Sequence, residues 1–186
     1  MHPNGDAFNQ FHRRWAAEAR MRRFAMTTSA EHYLAELGAD SGSARTGKWL
    51  VRCRELEAHV SRTGTFPTVG KGADPGVRRI AEWVRYQRRA KDSLSDYQRE
   101  RLELIPGWVW RPQEQRWHDH LHDYENFTRA HGRRPRRRSS DKAETRLAIW
   151  HRNQRRLANS ACLASDRDQV LSQLDVRIKA LLRPAD

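Results

Sequence analysis

Trp83-Val84-Arg85-Tyr86-Gln87-Arg88-Arg89 and Trp150-His151-Arg152-Asn153-Gln154-Arg155-Arg156 are one pattern, Trp-x-Arg-x-Gln-Arg-Arg, written twice at an offset of 67 residues. At 100° per residue on a helix, each Trp and Gln falls on the side of the nearby aliphatic residues, Ile80 and Val84 or Leu147 and Leu157. The Arg residues two, five and six places after each Trp point largely the other way, and Arg78 extends the outward stripe of Arg85 and Arg89. Such a helix buries an indole and offers a row of guanidinium groups to its surroundings.

The repetition extends outward from this pair. At an offset of 68, Trp49, Cys53, Leu56, Val60, Gly64 and Pro67 fall on Trp117, Leu121, Tyr124, Thr128, Gly132 and Pro135; at 69, Leu94, Leu102 and Ile105 fall on Leu163, Leu171 and Leu174. Each copy reads as three helices. The first carries its apolar stripe at steps of four, three and four and stops at Gly before Pro, a helix-ending pair. The third opens at Ser95 with Gln98 three residues on, a capping box, and Ser165 with Asp168 is a looser version. No run alternates apolar and polar residues, so strands are not expected. The expected fold is all-α: tandem three-helix units over 45–111 and 112–186, behind an amino-terminal helical portion, 1–44. In that portion Trp15, Leu34 and Leu37 keep the spacing of Trp83, Leu102 and Ile105, and Thr28 with Glu31 repeats the capping pattern. It reads either as a partial third repeat or as a helical hairpin packed on the first unit.

Charge says what the outward face is for. The 186 residues hold 36 Lys and Arg against 23 Asp and Glu, net +13, and Arg supplies all but five of the bases. Residues 8–25 carry +4, 77–91 carry +5 and 133–158 carry +8, so the remainder of the chain is slightly acidic. An Arg-rich composition alone would not cluster this way; clustering points to a polyanion. Gly132 opens a stretch with no acid, Arg133, Arg134, Pro135, Arg136, Arg137, Arg138, Ser139, Ser140, which reads as a flexible basic arm of the kind that follows phosphates or enters a minor groove. Its counterpart, 66–72, holds a single Lys. The third helix is different: residues 95–105 sum to −1 and should support rather than touch a polyanion.

Other chemistry is not visible. There is no Gly-rich phosphate loop, nucleophile elbow or HExxH, and no cofactor or catalytic residue is expected. His118 and His122 sit one turn apart, but His120 points elsewhere and no third ligand is fixed nearby, so no metal is expected. Cys53 and Cys162 read as reduced packing residues in helical stretches. Trp49, Trp83, Trp117 and Trp150 read as core, Gln87 and Gln154 as structural hydrogen bonders rather than adenine readers, and Trp108 with Trp110 as packing for the junction between copies. No apolar run approaches a membrane span and Met1 to Asp6 lacks the order of a signal peptide, which predicts a soluble, cytoplasmic protein.

These motifs resemble the helicase-associated domain repeat of bacteria and their phages. Its first helix, opening with Trp and closing before Pro, is matched by Trp117, His131, Gly132 and Pro135 and by Trp49, Gly64 and Pro67. Its Leu or Ile, Trp, Gln-Arg second helix is matched by Ile80, Trp83, Gln87, Arg88 and by Leu147, Trp150, Gln154, Arg155; its Leu-Ser to Trp tail by Leu94-Ser95, Leu102 and Gly107 to Trp110. The second copy lacks the closing Gly and Trp. The resemblance implies three-helix modules that bind nucleic acid, strung behind a helicase motor for which this chain shows no Walker motif.

The expected function is therefore binding of double-stranded DNA, regulatory or DNA-organising. The expected contacts are Arg78, Arg85, Arg88, Arg89, Arg133, Arg134, Arg136, Arg137, Arg138, Arg152, Arg155 and Arg156. RNA binding, or docking of an acidic protein, is the alternative.

Overall fold

The computed structural model describes residues 5–21, 28–39, 43–70 and 72–183, and the described residues contain α-helices, one 3-10 turn and no strand. No helix among them is long and apolar enough to cross a membrane. The chain divides into two compact units, 1–110 and 111–186.

In the first unit α1 (Gly5–Met21) and α2 (Thr28–Glu36) share a core with α3 (Ala44–Thr63), α4 (Pro75–Arg89) and α5 (Asp96–Glu103). The α3 stripe is buried as its spacing predicts: Trp49, Cys53, Leu56 and Val60 face inward, joined by Leu50. Phe11 and Trp15 from α1 and Tyr33 from α2 meet it around Tyr97 of α5, with Trp15 and Tyr97 rings 5.6 Å apart. The amino-terminal helices thus complete this core. Buried Arg101 of α5 ties it further, donating to Glu36 of α2 at 2.9 Å and Glu57 of α3 at 2.8 Å.

Helix ends follow local chemistry. Ser43 caps α3, accepting from the Thr46 N–H at 3.2 Å, and α3 closes at Gly64, whose φ of 68° is the left-handed conformation that glycine adopts without strain. Asp74 caps α4 through the N–H groups of Gly76 and Val77, with Pro75 in the first turn. The Ser95 and Gln98 capping box forms in both directions. Two other capping readings do not hold. α2 begins at Thr28 itself, and Glu31 instead accepts from the Ser43 N–H at 2.8 Å and the Thr46 hydroxyl at 3.1 Å, so it serves α3. These bonds hold the Glu31 carboxyl below the usual carboxylate range.

The second unit is α6 (Pro112–His131), α7 (Lys142–Asn159) and α8 (Ser165–Leu181), packed around Trp117, Leu121, Tyr124, Leu171, Leu174 and Ile178. α6 ends at Gly132 with φ 60°, as α3 ends at Gly64. α8 starts after Ala164 with no side-chain cap, so Ser165 is its first residue and the second capping box is absent. It is also twice as long as α5: Pro106 stops the chain after Ile105, and nothing comparable follows Leu174.

Cys53 is buried, and burial pushes its thiol up to about 12, as an inert packing residue requires. Cys162 is exposed in the turn between α7 and α8, contrary to its helical reading. Trp108 and Trp110 pack against residues of the first unit. Trp108 lies 6.1 Å from the Phe66 ring, Trp110 stands edge-on to Trp108 at 5.0 Å, and the Trp110 indole donates to Glu103 at 2.6 Å, all within the first unit. Gly107, φ 79°, makes this fold-back possible, since glycine adopts that left-handed conformation without the strain a side chain would bring.

Candidate nucleic-acid interface

What aims the basic face of each second helix is a hydrogen bond on the opposite side. The Trp49 indole donates to Gln87 at 3.0 Å, and the Trp117 indole donates to Gln154 at 2.9 Å. Trp49 and Trp83 rings lie 6.0 Å apart and Trp117 and Trp150 rings 6.2 Å apart, both steeply inclined. The glutamines are structural, as expected. Trp49 and Trp117 are buried, whereas Trp83 and Trp150 are only half-buried and close the edge of each core. His120 stacks on Trp150 at 5.3 Å, and its ring is also bonded to the Arg116 carbonyl at 2.6 Å. No group of three His, Cys, Asp or Glu side chains among the described residues is arranged to hold a metal.

With the inner side fixed, Arg78, Arg85 and Arg89 stand exposed along α4, seven and four residues apart, and Arg79 is exposed beside them. Arg88 is different. Its guanidinium lies 5.2 Å from the Trp108 ring and 5.5 Å from the Phe66 ring, so it joins the second helix to the aromatic tail. Sequence spacing alone places it with the outward arginines. Spacing also misses a contribution from α3: Arg45, Lys48 and Arg52 border a cleft of about 640 Å³ together with Trp83 and exposed Tyr86.

On α7, Arg152 and Arg156 are exposed, while Arg155 reaches Asp175 of α8 at 3.3 Å. Asp175 also bonds His151 at 2.9 Å, and His151 stacks on Tyr124 at 4.4 Å. Burial pulls the His151 pKa below the ordinary histidine value, against the opposing pull of Asp175. Arg134 and Lys179 border the same hollow as Arg155 and His151, so α8 lends it one cation beside the acid Asp175.

The 133–140 segment is not a free arm. Buried Glu144, in the first turn of α7, gathers it: its carboxylate accepts from Arg133, from the Arg136 N–H at 2.7 Å and from the Ser139 hydroxyl at 2.7 Å. The Arg133 guanidinium, first among these partners, drives the Glu144 carboxyl down to about 2. Arg133 itself is thereby engaged and lies over the Phe127 ring at 5.1 Å. Arg134, Arg136, Arg137 and Arg138 remain exposed. Glu144 stands beyond the basic run, at a position ordinarily explained by the helix dipole, which hides this role in the sequence.

Comparison with known families places the first unit's core in context. Residues 46–111 match the helicase associated domain. The matched segment comprises nearly all of α3, then α4, α5 and the Trp108 to Trp110 tail; α1, α2 and residues 112–186 lie outside the match. No curated protein and no solved structure matches the chain.

Proposed function

We propose that the chain is a non-catalytic module that binds double-stranded DNA through α4, α7 and the loop 133–138, acting in the cytoplasm on nucleoid DNA as a regulator or organiser. The carrying observation is that eight of the clustered arginines face outward and lack acidic partners. Among the described residues, no carboxylate pairs with Arg78, Arg85, Arg89, Arg136, Arg137, Arg138, Arg152 or Arg156. Exposed guanidinium groups without local counter-charges favour a phosphate backbone, which they grip two-pronged. The helicase associated match supports a nucleic-acid-related role.

Titration against duplex DNA, single-stranded DNA and duplex RNA of matched length, at two salt concentrations, tests this reading. Duplex DNA should bind most tightly, with affinity falling steeply as salt rises. Preference for duplex RNA would move the assignment to RNA. Weak binding to all three would favour an acidic protein partner.

A further inference from the structure

We propose that Glu144 is a positioning residue of the interface, holding loop 133–140 in the form that presents Arg134, Arg136, Arg137 and Arg138 together as a preset phosphate clamp. The inference rests on the DNA-binding reading and adds to it a residue that touches no nucleic acid.

An acid beside four exposed cations is an odd component of a surface meant for a polyanion, because its charge opposes the ligand. Its geometry supplies the reason. One carboxylate oxygen accepts from Arg133 and from the Arg136 backbone N–H at 2.7 Å; the other accepts from Arg133 at 3.2 Å and from Ser139 at 2.7 Å. All four acceptor positions are filled by three residues of the loop. The far end is pinned as well. Ser139 also accepts from the Asp141 N–H at 3.2 Å, and the Thr145 hydroxyl donates to the Ser139 carbonyl at 3.3 Å.

Helix capping does not account for Glu144, since Asp141 already caps α7 through the Ala143 N–H at 2.8 Å. The arrangement is particular to the second unit. At the 67-residue offset the first copy has Val77, and its loop carries one Lys. A loop ordered before the ligand arrives loses less conformational freedom on binding, so the exposed arginines engage phosphates more tightly than the same residues on a free chain.

The test is Glu144→Gln in the full chain, titrated with duplex DNA across several salt concentrations beside the wild type. Charge alone predicts tighter binding, because an acid has gone. Positioning predicts the opposite sign: affinity falling by about tenfold and the log-log salt slope shrinking by about one, as when one phosphate is no longer neutralised. Tighter or unchanged binding by folded Glu144→Gln overturns the proposal. Wild type that ignores duplex DNA overturns the DNA-binding reading instead. Two further measurements serve if Glu144→Gln does not fold. Ser139→Ala, which leaves charge untouched, should weaken duplex binding, and the Arg136 amide of the free wild type should be protected from hydrogen exchange. Full affinity in Ser139→Ala, or an unprotected Arg136 amide, counts against a held loop.

Discussion

Trp49 and Gln87 are joined by a buried hydrogen bond of 3.0 Å, and the 2% exposure of Gln87 leaves water no access to replace it. The bond sets the rotation of α4, and through it the direction in which Arg78, Arg85 and Arg89 project. Gln87→Leu strands the indole N–H and should destabilise the fold by about 1–3 kcal/mol. Gln154→Leu, at a half-buried position, should cost less. Urea denaturation of the two variants measures the difference.

Arg101 is the cationic centre of the first unit. Its side chain is 3% exposed between Glu36 and Glu57. Arg101→Ala leaves two partly buried carboxylates without their shared cation and should cost about 3–5 kcal/mol, read from thermal denaturation. Although Arg101 belongs to the charge count of the third helix, any drop in duplex affinity in this variant should follow its loss of folded protein.

Stability should fall as the solution is acidified, in two windows. The folded pKa of His151 lies below the ordinary 6.5, so the unfolded chain takes up a proton first and stability declines as pH drops below about that value. Glu144 is depressed to about 2, so its stabilising effect is present above the ordinary 4.5 and disappears between there and about 2. His151→Gln should flatten the decline between neutral pH and pH 5 while leaving the lower one in place. Chemical denaturation across the pH range checks both.

Arg99 is the control for surface charge. It donates to the Leu94 carbonyl at 2.8 Å and pairs with Asp96, on a helix whose neighbouring residues sum to a negative charge. Arg99→Ala should leave duplex affinity nearly unchanged. A reduction equal to that of Arg85→Ala would mean that α5 also meets the ligand.

The helical order, the inward Trp and Gln residues and the α3 and α6 stops at Gly64 and Gly132 are legible in the sequence because each depends on local spacing or a single backbone conformation. Arg88, Arg133 and Arg155 are legible as cations but not as engaged ones. Their partners, the Phe66 and Trp108 rings, Glu144 and Asp175, come from other elements, and helical spacing says nothing about side chains brought in from elsewhere. Glu31 and Arg101 escape for the same reason: each acts on a different helix from its own. The compositional signal of a basic patch locates the candidate site. Tertiary structure decides which arginines within it remain free.

The most direct measurement of the central claim is the salt dependence of duplex binding by Arg152→Glu/Arg156→Glu, compared with wild type of equal thermal stability. Both residues are exposed, so the fold should tolerate the change. Affinity should fall and the log-log salt slope should decrease by about one for each phosphate that is no longer neutralised. If these guanidinium groups read guanine edges instead, the weakening would concentrate on particular sequences, at about 1–3 kcal/mol per two-pronged pairing, with little change in slope. Unchanged affinity and unchanged slope, with the fold intact, would contradict an interface on the second helix.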